Sequence, residues 1–312
     1  MALAGLETDL KDYRIVDRLA IGGMAEIFLA DVVSADKETE PKKVVVKRLL
    51  PRYRSEDDYV RLFMDEAKLC VKLRHPNIVR TFKAFKKGID YYMVQELVEG
   101  ASLDVLMRRL RKKQLRFPPS AAVSITKSLL QALDYVHRAR LGEKHVRLVH
   151  RDVHPGNLLV GFDGSVKLTD FGVAEGEGVG ARRVAGALRG TAPYMSPEQV
   201  RGRAVGPTTD LFATAIVLWE LFTGRDLFLG ESELDTLRKV VEHQAAPPSV
   251  YASDLPEVFD EMLLRALNKH PEERYQSAQE FGRALLSAAK TLKWSPEDRN
   301  KLGKMVGYAL AA

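Results

Sequence analysis

The sequence lacks most of the features that mark secreted, fibrous or membrane proteins. Its single cysteine, Cys70, can form neither an internal disulfide nor a multi-cysteine zinc site, and it is interpreted as a small buried side chain. The longest apolar run, Leu211 to Phe222, contains Thr214 and Glu220 and is shorter than the roughly 18 residues of a membrane helix. The first residues include neither a basic start nor a long apolar stretch, so we expect no secretory signal. These absences predict a cytoplasmic protein without membrane association.

A strong excess of charge of one sign is also missing. The 48 lysines and arginines and the 42 aspartates and glutamates leave a net charge of +6. This mild excess permits an anionic ligand but does not indicate nucleic acid, and we expect no nucleic-acid partner. Hydrophobic residues form 46% of the 312 residues, which predicts a folded protein of one large or two small domains.

The chain changes from strand-like to helical patterns near Gly100. Short apolar runs between charged turns predict strands from Tyr13 to Glu96, interrupted by one amphipathic helix over about residues 56–73. Asp163-Gly164 predicts a hairpin. Further helices are predicted over about 118–137, 208–223, 234–242, 257–267 and 277–289, and from Ser295. These patterns predict an α+β protein with a small β-rich part and a larger helical part.

Two charged residues fall on otherwise apolar surfaces. Glu66 lies on the apolar face of the predicted helix, and Lys47 follows the buried strand pattern Val44–Val46. Each buried charge would need an opposite charge, and each residue could supply it for the other. The alternative is two unrelated side chains that extend to solvent.

The strongest pattern is His150-Arg151-Asp152, followed by Asn157 and then by Asp170-Phe171-Gly172. In order and spacing it resembles the catalytic loop and metal-binding motif of the protein kinase family. The resemblance covers about residues 13–288 and is greatest to bacterial Ser/Thr kinases. Further matching segments are Ala20–Ile27, Lys47, Glu66, His75–Val79, Gly190-Thr191, Ser196-Pro197-Glu198, Asp210 and Arg274, of which the last is expected to pair with Glu198.

The resemblance implies a bilobal protein kinase fold, with a small antiparallel sheet lobe containing one helix (13–96) and a larger helical lobe (97–288). Residues 1–12 would form an N-terminal arm and 289–312 a C-terminal helical extension. It also implies transfer of the ATP γ-phosphate to a serine or threonine of a protein substrate in bacterial signalling. Mg²⁺ would assist, with Mn²⁺ as an alternative.

The resemblance assigns roles to single residues. Lys47, held by Glu66, would contact the α- and β-phosphates, and Asp152 would accept the proton of the substrate hydroxyl. His154 and Thr191 complete the expected catalytic set. Asn157 and Asp170 would bind the metal. The residues expected to contact the nucleotide are Ala20, Ile21, Gly22, Gly23, Met24, Ala25, Ile27, Lys47, the gatekeeper Gln95, Glu96, Val98, Asn157 and Asp170.

The sequence departs from the family at three places. Ala20 and Ala25 replace the first and third glycines of the nucleotide loop. Their methyl groups would prevent phosphate contact only if a positive φ is needed there. His154 stands where Ser/Thr kinases usually have a lysine. No serine, threonine or tyrosine occurs between Gly172 and Gly190, so phosphorylation of that segment cannot control activity.

Several alternatives remain beside the kinase hypothesis. A pseudokinase scaffold would bind partners without catalysis, and a small-molecule kinase would share the lobe plan. A Walker-type NTPase is excluded because no Gly-Lys-Ser/Thr loop is present. His150 and His154 have the spacing of zinc ligands on a helix. The basic segment 108–116 could dock an acidic partner, as could the C-terminal extension, although a solvated helix face also explains the segment.

Overall fold

The computed structural model describes residues 10, 12–33, 41–139, 148–171, 191–292 and 299–311. Within these ranges the chain forms two compact units, of which the first ends at Val98 and the second begins at Glu99. None of the helices in these ranges is long and apolar enough to cross a membrane.

The first unit is a five-stranded antiparallel sheet with one helix. The strands are β1 (Tyr13–Ile21), β2 (Ala25–Val32), β3 (Lys43–Leu49), β4 (Thr81–Lys87) and β5 (Asp90–Glu96), in the spatial order β1-β2-β3-β5-β4. Helix α1 (Asp57–Cys70) lies against one face, where its Phe63 and Ala67 pack with Leu49 and Met93. The alternation of β3 therefore puts Lys47, two residues from Leu49, on the face that carries α1.

The second unit is mainly helical. Its helices are α2 (Leu103–Lys112), α3 (Pro119–Arg138), α4 (Pro197–Val200), α5 (Pro207–Thr223), α6 (Glu233–Glu242), α7 (Val258–Ala266), α8 (Ala278–Ala289) and α9 (Arg299–Leu310). A small sheet has the order β6 (Gly100–Ser102), β7 (Leu158–Gly161) and β8 (Val166–Leu168). Helix α5 packs against α3, α7 and α8, and fifteen of its seventeen residues are buried. This burial explains the longest apolar run of the sequence.

The predicted elements agree with the structure except at a few places. Helix α3 begins at Pro119, with Pro118 rather than Ser120 as the cap residue. A first-turn proline needs no hydrogen bond for its nitrogen, so the helix can begin there. Helix α2 was not predicted as an element, although Leu103, Leu106, Met107 and Leu110 have helical spacing and are buried. The predicted start of the last helix at Ser295 lies outside the described residues.

Candidate active site

The loop between β1 and β2 is a tight connection that the alanine replacements do not strain. The Gly22 N–H donates to the Ala25 carbonyl at 2.8 Å, and neither Gly22 nor Gly23 has a left-handed φ. Ala20 pairs with Ile27 in the β1–β2 ladder, so its backbone is extended. Ala25 is likewise the first residue of β2. Because positive φ is required at none of these positions, a methyl group at residues 20 and 25 is compatible with the loop.

The two charges predicted to pair both belong to the first unit. Lys47 lies in β3 between Ile27 of β2 and Met93 of β5, and only 8% of it is exposed. Glu66 is half-buried on α1. Both residues contact other groups, and their pairing with each other stays a prediction.

The end of β5 is fixed by its neighbour β4. The buried Gln95 donates from Nε2 to Thr81 Oγ1 at 3.2 Å. Glu96 donates its N–H to the Arg80 carbonyl at 2.9 Å and accepts the Arg80 N–H on Oε1 at 2.6 Å. These bonds hold the strand end that leads to Val98. The roles of gatekeeper and adenine contact stay predictions for these residues.

In the second unit, Asp210 of α5 anchors the start of the predicted catalytic loop. Its fully buried carboxylate accepts the backbone N–H groups of His150 and Arg151, both at 2.8 Å. His137 of α3 lies 2.7 Å from the same carboxylate through Nε2. Arg151 has a left-handed φ of 66°. Such a conformation persists where the surroundings fix it, and Asp210 provides two of the fixing bonds.

His150 is a neutral structural link inside this loop. Its Nε2 lies 3.1 Å from the Thr169 carbonyl, and its Nδ1 accepts the Asp152 N–H at 3.3 Å. Burial lowers the pKa of His150, in agreement with a neutral ring that donates through Nε2. Because both ring nitrogens are engaged by backbone groups, the zinc alternative for His150 and His154 is wrong.

Asn157 orients the side chain of the predicted base. Its Nδ2 donates to the Asp152 carbonyl at 2.9 Å and to Asp152 Oδ2 at 3.1 Å. The Thr169 N–H donates to the Asn157 carbonyl at 2.9 Å. Asp170, the next residue, has a left-handed φ of 57° and accepts the Thr169 hydroxyl on Oδ1 at 3.1 Å. Asn157 and Asp170 are thus tied to the same short stretch of backbone.

The donor set of these residues fits a hard cation. The Asn157 amide nitrogen is directed at Asp152, which leaves its amide oxygen for another partner, and the Asp170 carboxylate supplies further oxygen atoms. Oxygen ligands of this type suit Mg²⁺, which also binds substrate phosphates. Among the described residues no group of three His, Cys, Asp or Glu could hold a metal ion. The pair would therefore bind a metal together with phosphate oxygens.

His154 lies beside the predicted base. Its Nδ1 accepts the Gly156 N–H at 3.1 Å, so a neutral ring carries its proton on Nε2, which is 3.7 Å from Asp152 Oδ2. A Cβ at Gly156 would approach His154 Cε1 to 2.7 Å, which explains the glycine. The ring also lies 6.1 Å from that of Tyr194. The contacts serve a structural role, and they also leave Nε2 near the predicted reacting group.

The turn that follows Thr191 is anchored to α5 through a buried carboxyl. Tyr194 donates its hydroxyl to Glu220 Oε2 at 2.7 Å, and the Leu227 N–H donates to Oε1 at 3.1 Å. Burial raises the pKa of Glu220 to about 7 and raises that of Tyr194 well above its ordinary value. Gly190 and the segment between Gly172 and Thr191 lie outside the described residues.

The predicted pair Glu198–Arg274 is confirmed. The Arg274 guanidinium donates to the two Glu198 carboxylate oxygens at 2.8 and 2.9 Å, and both side chains are buried. Thr209 adds a hydroxyl donor to Glu198 Oε1 at 2.8 Å. Bidentate geometry and an extra donor offset the cost of burying both charges.

Sequence reasoning missed several residues that hold the site. They are His137, Tyr194, Gln199, whose Nε2 donates to the Arg151 carbonyl at 2.9 Å, and Glu220. Glu220 carried a signal, because it is a carboxylate inside the longest apolar run. His137 and Gln199 carried none, since each is a polar residue near a helix end.

Comparison with known proteins adds independent findings. The family model "Protein kinase domain" matches residues 21–286. The chain is 36% identical over 275 residues to the tyrosine-protein kinase MasK of Myxococcus xanthus, covering 88% of this chain and 42% of that protein. It is 31% identical to the serine/threonine-protein kinase PknL of Mycobacterium tuberculosis, covering 92% of this chain and 68% of PknL. For PrkC of Bacillus subtilis the identity is 31%, over 86% of this chain and 39% of PrkC.

The fold agrees with these relatives. The crystal structure of the Mycobacterium tuberculosis PknI kinase domain, C20A mutant, superposes with a TM-score of 0.67 at 24% identity and covers 93% of this chain and 100% of that chain. The chain spans about two fifths of the length of the first curated relatives, with 42%, 38% and 40% covered. The expected fold, a small antiparallel sheet lobe with one helix and a larger helical lobe, is confirmed. This chain belongs to the protein kinase domain family.

Proposed function

We propose that this chain is an ATP-dependent serine/threonine protein kinase. The observation that carries the proposal is the arrangement of the loop 150–157. Asp210 fixes its backbone, and Asn157 holds the Asp152 carboxylate by a bond of 3.1 Å. A positioned carboxylate next to a hard-cation ligand pair suits phosphoryl transfer, in which the protein mainly orients groups and neutralises charge.

The residues divide the reaction between them. Asp152 accepts the proton of the substrate hydroxyl, while Asn157 keeps that carboxylate oriented. Lys47, paired with Glu66, neutralises the α- and β-phosphates. Asn157 and Asp170 hold the divalent metal that the family uses, and that metal supplies charge neutralisation at the phosphates. Mg²⁺ is the proposed ion, with Mn²⁺ as its substitute. The remaining nucleotide contacts are those assigned by the family resemblance.

An assay with radiolabelled ATP and a general protein substrate tests the activity. Asp152→Ala should lower the rate by about 10²- to 10⁴-fold because it removes the general base. Asp58→Ala is the control, since Asp58 is an exposed carboxylate on α1 with 76% of its side chain accessible. Nucleotide binding should persist in both variants. A wild-type protein that binds ATP and transfers no phosphate would instead support the pseudokinase scaffold.

The metal assignment has its own test. Asp170→Asn should abolish the Mg²⁺-dependent part of nucleotide binding, since a neutral amide holds a hard dication poorly. Titration of fluorescent ADP with and without Mg²⁺ measures this part directly. Turnover unchanged from wild type at saturating Mg²⁺ would contradict the assignment of Asp170.

Tyrosine transfer is the second candidate, and two observations favour it. The relative with 36% identity is named a tyrosine-protein kinase, and His154 stands in place of the lysine typical of Ser/Thr kinases. Thr191 within Gly190-Thr191 favours the serine/threonine reading. Acid hydrolysis of the labelled substrate, followed by separation of phosphoserine, phosphothreonine and phosphotyrosine, decides between the two acceptors.

The contacts within the basic segment 108–116 limit which of its residues could dock a partner. Four of the six cations in the basic segment 108–116 contact groups of the chain itself: Arg108 with Asp104, Arg111 with Asp226, Arg116 with Asp254, and Lys113 with carbonyls of α9. Docking of an acidic partner there would use the exposed Arg109 and Lys112.

We place the enzyme in the cytoplasm, where ATP is supplied, with the kinase domain at 13–288.

A further inference from the structure

Helix α9 lies beyond the residues that the family model matches, which end at 286. It nevertheless packs against α2, α3 and β7 of the second unit. Leu302, Val306 and Ala309 recur at helical spacing and are at most 2% exposed, so one face of the helix is buried. The helix is therefore an addition to the family's common domain that is docked on that domain.

Two close contacts fix the position of α9. Gly303 lies so near the hairpin turn that a Cβ there would overlap the Phe162 carbonyl oxygen. At the other end, Lys113 Nζ donates to the carbonyls of Tyr308 and Ala311 at 2.9 and 3.0 Å and lies 4.7 Å from the centre of the Tyr308 ring. A cation at the C-terminal carbonyls of a helix is favourable for the helix dipole. One end of α9 thus contacts the hairpin and the other contacts α2.

The contacted hairpin carries the proposed metal ligands at its open end. Strand β7 begins directly after Asn157, and β8 ends two residues before Asp170. The two strands share only three residue pairs, and β8 is an edge strand of the sheet. A hairpin this short is marginal by itself, and Asp170 additionally has a left-handed φ of 57°. The surrounding contacts must therefore keep the open end in place.

We propose that α9 is a built-in brace that holds the β7–β8 hairpin and so positions Asn157 and Asp170 for the metal. The proposal rests on the proposed function, because it uses the metal roles of these two residues. The residues of α9 do not touch the reacting groups. They act on the site through the hairpin turn, and Gly303 is the positioning residue.

A pair of glycine substitutions in α9 tests the brace in the full chain. Gly303→Ala adds a methyl group against the Phe162 carbonyl, whereas Gly307→Ala adds one where no atom lies within 4 Å. Both substitutions give the same gain in intrinsic helix propensity. A difference between the two variants therefore reports the lost contact with the hairpin. Hydrogen exchange should be faster in α9 and at the Thr169 amide of Gly303→Ala only.

Metal binding is measured through ADP, without turnover. We expect the Mg²⁺ concentration for half-maximal enhancement of ADP binding to rise about tenfold in Gly303→Ala and to stay unchanged in Gly307→Ala, as for other supports of metal ligands. Binding of ADP without metal should be equal in all three proteins. Lys113→Met, which removes the bonds to Tyr308 and Ala311, should give a smaller shift in the same direction.

The outcomes separate the two proposals. If wild-type protein shows no Mg²⁺ enhancement of ADP binding, the proposed metal site itself fails. If the wild type shows it and Gly303→Ala releases α9 with an unchanged Mg²⁺ requirement, the brace is wrong. A Gly303→Ala protein in which α9 exchanges as slowly as in the wild type would also overturn it, because the contact with Phe162 would then not hold the helix.

Discussion

At the scale of single residues, the loop 150–157 is held by hydrogen bonds that cross long distances in sequence. The Asp210 carboxylate accepts the backbone N–H groups of His150 and Arg151 and contacts the ring of His137. These three residues lie 59 to 73 residues away in the sequence. These bonds fix the backbone immediately before Asp152. The chemistry of two titratable side chains, His154 and Glu220, can then be tested one at a time.

His154 is expected to support phosphate neutralisation near the predicted base. A lysine ammonium stays charged from about pH 6 to 8.5, whereas an imidazole is neutral at the alkaline end of this range. We therefore expect His154→Lys to keep or raise kcat at about pH 8, and His154→Ala to lower kcat by a factor that changes with pH. The measurement is kcat for the three proteins from pH 6 to 8.5. Parallel profiles for wild type and alanine would leave His154 only its bond to Gly156.

Glu220 makes stability depend on pH. Burial raises the pKa of its carboxyl from 4.5 to about 7, so between these values the folded chain binds a proton that the unfolded chain has lost. The free energy of unfolding should consequently fall as the pH rises from about 4.5 to about 7. Glu220→Gln can still form hydrogen bonds with Tyr194 and Leu227 but cannot ionise, so its stability does not fall over this range. The free energy of unfolding of Glu220→Gln relative to that of wild type should therefore rise by about 2–3 kcal/mol from pH 5 to pH 8.

Denaturant unfolding of wild type and Glu220→Gln at both pH values measures the difference. Asp134→Asn is the control, because Asp134 is a carboxylate that pairs with Arg138 at the surface of α3. A stability difference between Glu220→Gln and wild type that is the same at pH 5 and 8 would contradict the raised pKa.

At the scale of elements, β2 and β3 are joined by a buried ion pair on the sheet face opposite Lys47. Glu26 and Arg48 are register partners, with Arg48 Nη2 2.6 Å from Glu26 Oε2. Arg18 approaches Glu26 Oε1 at 3.2 Å, and Arg48 also lies 3.8 Å from Asp90. With Arg18 of β1 and Asp90 of β5, the pair therefore connects four strands next to the nucleotide loop.

Removal of one partner of this pair should be costly. Among the described residues, Arg48→Met leaves the buried Glu26 carboxylate with Arg18 as its one cation and should lower the free energy of unfolding by about 3–5 kcal/mol. The double variant Glu26→Leu, Arg48→Met removes both charges and should recover most of that loss. Chemical denaturation measures both.

The exposed pair Arg14–Asp31 joins β1 and β2 at the surface of the same sheet and provides the control. Arg14→Met should cost at most about 1 kcal/mol, since exposed ion pairs contribute little. Equal losses for Arg14→Met and Arg48→Met would show that burial of the Glu26–Arg48 pair is unimportant.

At the scale of the whole molecule, the segment before Thr191 lacks the hydroxyl side chains whose phosphorylation activates many kinases. The residues from Val173 to Arg189 contain no hydroxyl side chain. Phosphate therefore cannot be attached there to pair with Arg151.

Phosphatase treatment should consequently leave activity nearly unchanged. The measurement is the initial rate of protein phosphorylation before and after treatment, with mass spectrometry to confirm that phosphate has been removed. Heat-inactivated phosphatase is the control. A large loss of rate would mean that a phosphorylated residue elsewhere in the chain controls the enzyme.

The local patterns of the sequence were sufficient for most elements. The strands of the first unit, α1 and the hairpin at Asp163-Gly164 follow from alternation, helical spacing and a turn dipeptide, because these preferences act between near neighbours. Helix α2 was not predicted because its basic residues dominated the pattern. The N-cap of α3 was predicted at the wrong residue because proline competes with serine for the first turn.

The sequence by itself determined which chemical groups are available: the five side chains Lys47, Glu66, Asp152, Asn157 and Asp170 in the order and spacing of a kinase. Only the tertiary structure decided how the loop around Asp152 is held: the Asp210 carboxylate accepts two backbone N–H groups of the loop, and the Asn157 amide donates to the Asp152 carboxylate. It also decided that α9 packs on the hairpin beside Phe162. The physical reason is that such bonds join residues far apart in the chain. Their formation depends on packing of whole elements, which no local pattern specifies.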